Sequence, residues 1–280
     1  MSKQSLVCGI LAGMLVGVSA GADKPGTPLK VYINTDLEGA SGVYKFAQTR
    51  ERGTPLYEEA CRYLMGDIAA VVRGLRDAGV QEILVLDGHG LQAFLPDHME
   101  PGAKYITGIP RPEILWGLQG SAGQILLAFH AMMGTPDGAL CHTQSSRSEN
   151  RYWYNGVESG EIVQSSAIGG HYGIPTIMVT GDEATCREAR KFLGPDCITV
   201  ATKRGLARES AALYPFQETR KALYEGAKQA VAALPRCKPF TMPLPIKAKR
   251  QWFQLDAQKN KGKLMTKEGE VRDLLHILDF

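Results

Sequence analysis

The sequence predicts an α/β protein: a mostly parallel sheet flanked by helices, followed by a smaller α+β C-terminal portion. Three observations point there. The runs Ile83-Leu84-Val85-Leu86 and Ile125-Leu126-Leu127-Ala128-Phe129 are continuously apolar, as strands buried on both faces require. A long helical pattern from Pro55 to Ala78 separates the first two strand candidates, which makes a βαβ unit with a right-handed crossover. With 280 residues, 44% hydrophobic and 22% charged, the chain can bury one large core or two smaller ones that share it.

The elements follow in order. Lys3 precedes an uncharged run from Leu6 to Val18, and Val18-Ser19-Ala20 stand before Gly21. A basic start, an apolar stretch and small residues at the cleavage spacing predict a secretory signal over residues 1–20. The run is shorter than the roughly 20 residues that span a bilayer, and Ala, Gly and Ser dilute it. Cys8 comes too early to serve as a lipid-attachment cysteine. The mature chain is therefore expected to be periplasmic or secreted, with no membrane attachment.

Residues 21–29 read as a spacer, 30–200 as an α/β metal-binding portion, and 201–280 as the smaller C-terminal portion, with a soft boundary. Leu29 to Ile33 is a strand whose Lys30 sits at its solvated start. Gly79 stops the helix that Pro55 opens, and Glu82 to Leu86 is the next strand. Tyr105 to Thr107 and Gln124 to Phe129 follow as strands. Gly138 to Tyr154 is polar and aromatic, and Asn155-Gly156 marks a tight turn. Ser159 is placed to cap a helix running from Gly160-Glu161 to about Gly169. Thr176 to Thr180 is a strand, Asp182 caps a helix to Leu193, and Ile198 to Val200 is a strand. A further helix spans Gln217 to Leu234. Beyond Phe240 come proline-interrupted β-like segments and a helical stretch from Val271 to Leu278.

A net charge of +3, of which Lys3 supplies one, argues against a polyanion binder, and no basic cluster lies among aromatics as nucleic-acid binding would want. Lys247-Ala248-Lys249-Arg250 reads as a solvated strand face. Outside the signal the cysteines are Cys61, Cys141, Cys186, Cys197 and Cys237, an odd number without framework spacing. Cys186 and Cys197 flank one helix-to-strand connection and could pair in an oxidising compartment; buried free thiols are the default reading.

The chemistry gathers at strand ends. Asp36 and Glu38 lie just past the first strand and, two apart in extended chain, project to one side. Carboxylates so placed repel unless a cation or proton compensates. His89 follows the second strand and His130 follows a later buried one. Open parallel sheets form their sites beyond the carboxyl ends of their strands. Mixed carboxylate and imidazole donors suit zinc or another transition metal rather than calcium. Asp87 is placed either to orient His89 or to cap the turn. No basic cluster is evident near these residues, which argues against a phosphate substrate.

Thr35-Asp36-Leu37-Glu38-Gly39-Ala40-Ser41-Gly42, Asp87-Gly88-His89, Phe129-His130-Ala131, Cys141-His142-Thr143 and Gly160-Glu161 occur in that order. Together they resemble the D-aminopeptidase family of zinc peptidases, from about Lys30 past Gly181-Asp182 and more loosely onward through Thr202-Lys203-Arg204. The resemblance implies two zinc ions per chain bridged by Asp36, with Glu38 and His130 completing one site and His89 and Glu161 the other. It implies His142 as the catalytic histidine, as acid/base or nucleophile. Glu158 is the nearby rival of Glu161. The resemblance also implies a homo-oligomer, a decamer, acting on short peptides or amino-acid amides, and D-specificity comes from it alone. The alternatives are a binuclear metal phosphoesterase, a deacetylase, and an exported metal- or peptide-binding protein without turnover.

Overall fold

The computed structural model describes residues 28–90, 92–256 and 261–280. The expected signal, residues 1–20, lies outside them, and so does most of the spacer. In chain order the elements are β1 (Lys30–Thr35), α1 (Ala47–Arg50), α2 (Pro55–Asp77), β2 (Glu82–Asp87), β3 (Lys104–Ile106), β4 (Gly123–Leu127), β5 (Arg151–Tyr154), β6 (Val157–Ser159), α3 (Glu161–His171), β7 (Thr176–Asp182), α4 (Glu183–Leu193), β8 (Ile198–Ala207), β9 (Ser210–Leu213), α5 (Phe216–Ala233), β10 (Ile246–Asp256) and β11 (Lys261–Val271). No helix among the described residues is long and apolar enough to cross a membrane.

Seven strands make the principal sheet, in the order β3-β2-β1-β4-β7-β8-β9. Neighbours are parallel through β8, and only β9 runs antiparallel, against β8. The buried runs that the sequence marks as strands are its centre: β1, β2, β4 and β7 are buried almost throughout. Lys30 stays at the solvated start of β1, where its Nζ donates to the carbonyls of Gly117 (2.7 Å) and Gln119 (3.0 Å). The sheet continues past residue 200 through β8 and β9.

One face of the sheet is covered by α2 and α5. Thr54 Oγ1 caps α2 by accepting from the Tyr57 N–H (3.3 Å), and Pro55 occupies the first turn, where no intrahelical donor is needed. Ala60, Leu64, Ile68, Val71 and Leu75 recur at helical spacing and are fully buried in the larger core with Leu223, Ala227 and Ala230 of α5. Asp182 caps α4 as expected, its Oδ1 accepting from the Thr185 N–H (2.7 Å).

The other face carries α3 and a second, antiparallel sheet of order β11-β10-β5-β6. Two local readings change here. Ser159 does not cap α3: it belongs to β6, its hydroxyl donates to the Val157 carbonyl (3.1 Å), and Gly160 takes the cap position. Val271 to Leu278 is not a helix either. Strand pairing with β10 runs through Ile246↔Val271, so the backbone groups there are already committed, and only a 3₁₀ turn (Leu274–His276) follows. Leu274 and Ile277 then pack with Tyr152, Tyr154 and Ile168 in the second core. All five described cysteines are free thiols.

Candidate metal centre

In the sheet order, β1 has β2 on one side and β4 on the other, so the chain reverses its direction of progress between β1 and β4. That crevice is where an open parallel sheet offers a site. The two strand ends are clasped by backbone: Asp36 N–H donates to Leu127 O (2.8 Å) and Gly39 N–H to Ala128 O (2.7 Å). Ala128 takes a left-handed φ of 62°. Gly39 has to be glycine, because a Cβ there would lie 1.9 Å from the Phe129 carbonyl oxygen. Behind the loop, the fully buried Lys203 donates through Nζ to the carbonyls of Glu38 and Ala40 (2.8 Å each). Burial pushes its ammonium down to about 8, against the attraction of Asp182 and Asp67.

The clasp brings all six predicted residues together. His89 Nδ1 lies 2.9 Å from Asp36 Oδ1 and 3.0 Å from Glu38 Oε2. His130 Nε2 lies 3.2 Å from Asp36 Oδ2 and 3.4 Å from Glu161 Oε1. His142 stacks on His130 with ring centroids 3.8 Å apart, and its Nε2 is 4.0 Å from Glu161 Oε1. Glu161, the first residue of α3, places its carboxylate at a helix N-terminus, where negative charge is favoured. Glu158 points away and pairs with Arg151 (2.5 Å). The carboxylate Asp36 touches both His89 and His130, whereas His89 sits on the Asp36 and Glu38 side and Glu161 on the His130 and His142 side.

Backbone carbonyls orient the three imidazoles. A carbonyl can only accept, so His89 Nε2–H donates to Thr49 O (2.9 Å), His130 Nδ1–H to Ala131 O (3.1 Å) and His142 Nδ1–H to Leu140 O (2.8 Å). Each ring therefore turns its other nitrogen toward the carboxylates. A lone pair facing a carboxylate is repulsive unless a proton or a metal ion stands between them, and a carbonyl on the outer nitrogen is the usual support of a metal-binding imidazole. Glu38 Oε2 and His130 Nε2 are buried without a well-formed hydrogen bond. Two clusters bring their donor atoms close enough to share an ion: Asp36, Glu38 and His130, and His130, His142 and Glu161. The donor chemistry fits zinc.

The charges are strongly interdependent. Burial would push the Glu38 carboxyl up, but the close positive charge of His89 outweighs it and holds Glu38 well below the usual carboxylate range. Burial opposes charge on His130 too, and Glu161 and Asp36 overcome it and raise the imidazole well above its ordinary value. His142 goes the other way: burial, then the neighbouring His130, lower it.

Asp87 does not orient His89. Its Oδ2 accepts from the Ala93 N–H (2.9 Å) and the Thr107 hydroxyl (3.1 Å), the turn-capping role. The partner of the outer His89 nitrogen is the Thr49 carbonyl, a backbone atom with no signature in the sequence. A second correction concerns charge. A cavity of about 340 Å³ opens onto the cluster, and Arg50, Arg52 and Arg147 line it with the ligand candidates. The basic cluster missing from the linear sequence is assembled by the fold.

An open parallel sheet with carboxylates and imidazoles converging on one cleft defines the class, a candidate metal-binding protein. The family model of the M55 peptidases, D-aminopeptidase, matches residues 29–259, and the chain belongs to that family. A D-aminopeptidase of Bacillus subtilis (strain 168) is 26% identical over 224 residues, covering 77% of this chain and 78% of its own length. The solved structure of the Zn-dependent D-aminopeptidase DppA from Bacillus subtilis, described as a self-compartmentalizing protease, shares the fold. It aligns with a TM-score of 0.79 at 22% identity, covering 88% of this chain and 93% of that one.

Proposed function

We propose that the protein is an exported aminopeptidase that removes N-terminal, D-configured residues from short peptides or amino-acid amides at a site holding two zinc ions per chain. The observation that carries this reading is the set of three imidazoles, each fixed by a backbone carbonyl so that its free nitrogen faces a carboxylate. Asp36, which touches both His89 and His130, is assigned as the residue shared by the two zinc sites, with Glu38, His89, His130 and Glu161 as the remaining ligands. When bound, zinc supplies Lewis-acid polarisation of the scissile carbonyl and brings the ionisation of water toward neutrality.

The chain's own residues do the rest. His142 keeps its Nδ1–H on Leu140 O and presents Nε2 to the cavity, so that nitrogen can accept a proton during attack and return it to the departing amine. The carboxylates attract the free ammonium of a substrate, which favours cleavage at the N-terminus. Export is supported by the signal-like residues 1–20. A homo-oligomer, a decamer in this reading, is supported by family membership and by the description of the Bacillus relative as self-compartmentalizing.

The test is zinc content per chain together with hydrolysis of D- and L-alanyl amides by the zinc-loaded protein and by His142→Ala. We expect two zinc ions, preference for the D-amide, and a fall of about 10²–10⁴-fold in kcat with zinc retained in the variant. No cleavage of any peptide or amide overturns the reading, as does a site that takes up no zinc. Turnover of phosphate esters in their place would give the arginine-lined cavity to a phosphoesterase.

A further inference from the structure

The cavity over the cluster has two unlike walls. One is the carboxylate and imidazole cluster. The other carries Arg50, Arg52 and Arg147. Among the described residues none of these three guanidiniums forms an ion pair; Arg50 and Arg52 hydrogen-bond to Ser146 and Gly90 instead. Positive charge gathers at this opening: burial, then Arg147 and Arg208, weaken the hold of Arg50 on its proton, against the pull of Glu209 and Glu38. An anion in the cavity would offset that charge.

The rim is also held in place. Arg50 lies over the Phe46 ring (3.4 Å to the centroid) and donates from Nε to Ser146 Oγ (2.8 Å) and from Nη2 to the Ser146 carbonyl. Arg52 Nη2 donates to Gly90 O (2.9 Å), the residue after His89. The segment that carries both arginines is bolted to the cluster, because Thr49 O accepts from His89 Nε2 (2.9 Å). Arg147 makes no side-chain hydrogen bond among the described residues, so its donors are uncommitted. Guanidinium groups match a carboxylate in planar, two-bond geometry.

The one anion that a short unmodified peptide always carries is its C-terminal carboxylate. In an extended dipeptide or tripeptide it lies one or two residues past the scissile carbonyl, at roughly 3.3–3.6 Å per residue. Arg50, Arg52 and Arg147 line the same cavity as Asp36, Glu38, His142 and Glu161, so a short peptide held at the cluster brings its carboxylate among them. We infer that Arg50, Arg52 and Arg147 form a carboxylate subsite that selects di- and tripeptides with a free C-terminus over amides and over long chains. The inference rests on the aminopeptidase reading and narrows its substrate to the free acid.

The experiment compares kcat/KM for D-alanyl-D-alanine and D-alanyl-D-alaninamide in the zinc-loaded enzyme and in Arg52→Gln, Arg147→Gln and the double variant. Arg187→Gln, at an exposed ion pair outside the cavity, serves as control, and zinc content is measured throughout. The wild type should prefer the free acid by about 10- to 100-fold, chiefly through KM. The ratio should fall toward one in the double variant and stay put in the control. Equal cleavage of acid and amide by the wild type overturns the subsite, and so does a preference that survives in the double variant. If neither substrate is cleaved, it is the aminopeptidase reading beneath that fails.

Discussion

The two sheets handle charge in opposite ways. At the carboxyl edge of the parallel sheet, Asp36 is 8% and Glu38 2% exposed, and both face the partly buried His89. On the antiparallel sheet, Lys247, Lys263, Glu268 and Glu270 spread over an exposed surface, and even the apolar cross-strand pair Phe253 and Leu264 stands in solvent at 46% and 52%. Geometry explains the contrast. Parallel strands end side by side at one level, so loops from β1, β2 and β4 deliver side chains to the same point. A hairpin ends in a single turn and has nothing to converge with. Charges that converge must be held by partners, while charges that spread are held by water.

If that contrast is right, Asp36→Asn should have the largest effect of any change considered. It weakens the carboxylate that touches His89 and His130 together, so zinc content and activity should fall jointly, with kcat/KM down roughly 10³-fold or more, about 4 kcal/mol of transition-state stabilisation. Zinc analysis and steady-state kinetics on one preparation measure both, and full zinc occupancy in the variant would show that Asp36 is not the shared residue.

Lys203→Met comes next. It strands the Glu38 and Ala40 carbonyls and removes the cation facing Asp182 and Asp67, which should cost about 3 kcal/mol and lower Tm by roughly 5–10 °C. An unchanged melting curve would mean that the ligand loop does not depend on support from below.

Glu188 offers a pH-resolved test. Burial pushes its carboxyl up to about 7, while Oε2 accepts from the Met132 N–H (2.7 Å). The folded chain therefore keeps a proton that the unfolded chain releases near 4.5, and stability falls as pH rises from about 4.5 to 7 and stays reduced above. In zinc-free protein, Glu188→Gln should be about 2 kcal/mol more stable relative to wild type at pH 8 than at pH 5, read from urea denaturation. A difference that does not vary with pH would mean the carboxyl titrates as it does in water.

The smallest effect belongs to the other sheet. Phe253→Ser should change stability by less than about 0.5 kcal/mol and activity by less than twofold. A several-fold loss of activity without a change in subunit stoichiometry by light scattering would tie the hairpin to the site and break the contrast.

What the linear chain displays follows the same division. Buried strands announce themselves as unbroken apolar runs, so β2 and β4 can be read directly, while Pro55 marks the start of α2 and Asp182 the cap of α4. Asp36, Glu38, His89 and His130 can be found because each stands just past such a run. Glu161 and His142 rest on family motifs, since no periodicity marks them. The Thr49, Ala131 and Leu140 carbonyls have no side-chain identity to read. The arginine rim joins Arg50 and Arg52 to Arg147, nearly a hundred positions away, and no local pattern links them. Ser159 and Val271 depart from the helical expectation because strand pairing takes them, Ser159 with Tyr152 across a hairpin and Val271 with the distant Ile246.

The clasp between Gly39 and Ala128 separates two jobs that a buried cluster usually does at once. Its hydrogen bonds join peptide groups, so the loop after β1 is registered against the end of β4 by backbone alone. Asp36 and His130 thus stand 3.2 Å apart on a frame whose span is set by main-chain atoms. An ion entering between them would meet a gap of given width, much as a lock cut in advance decides its key.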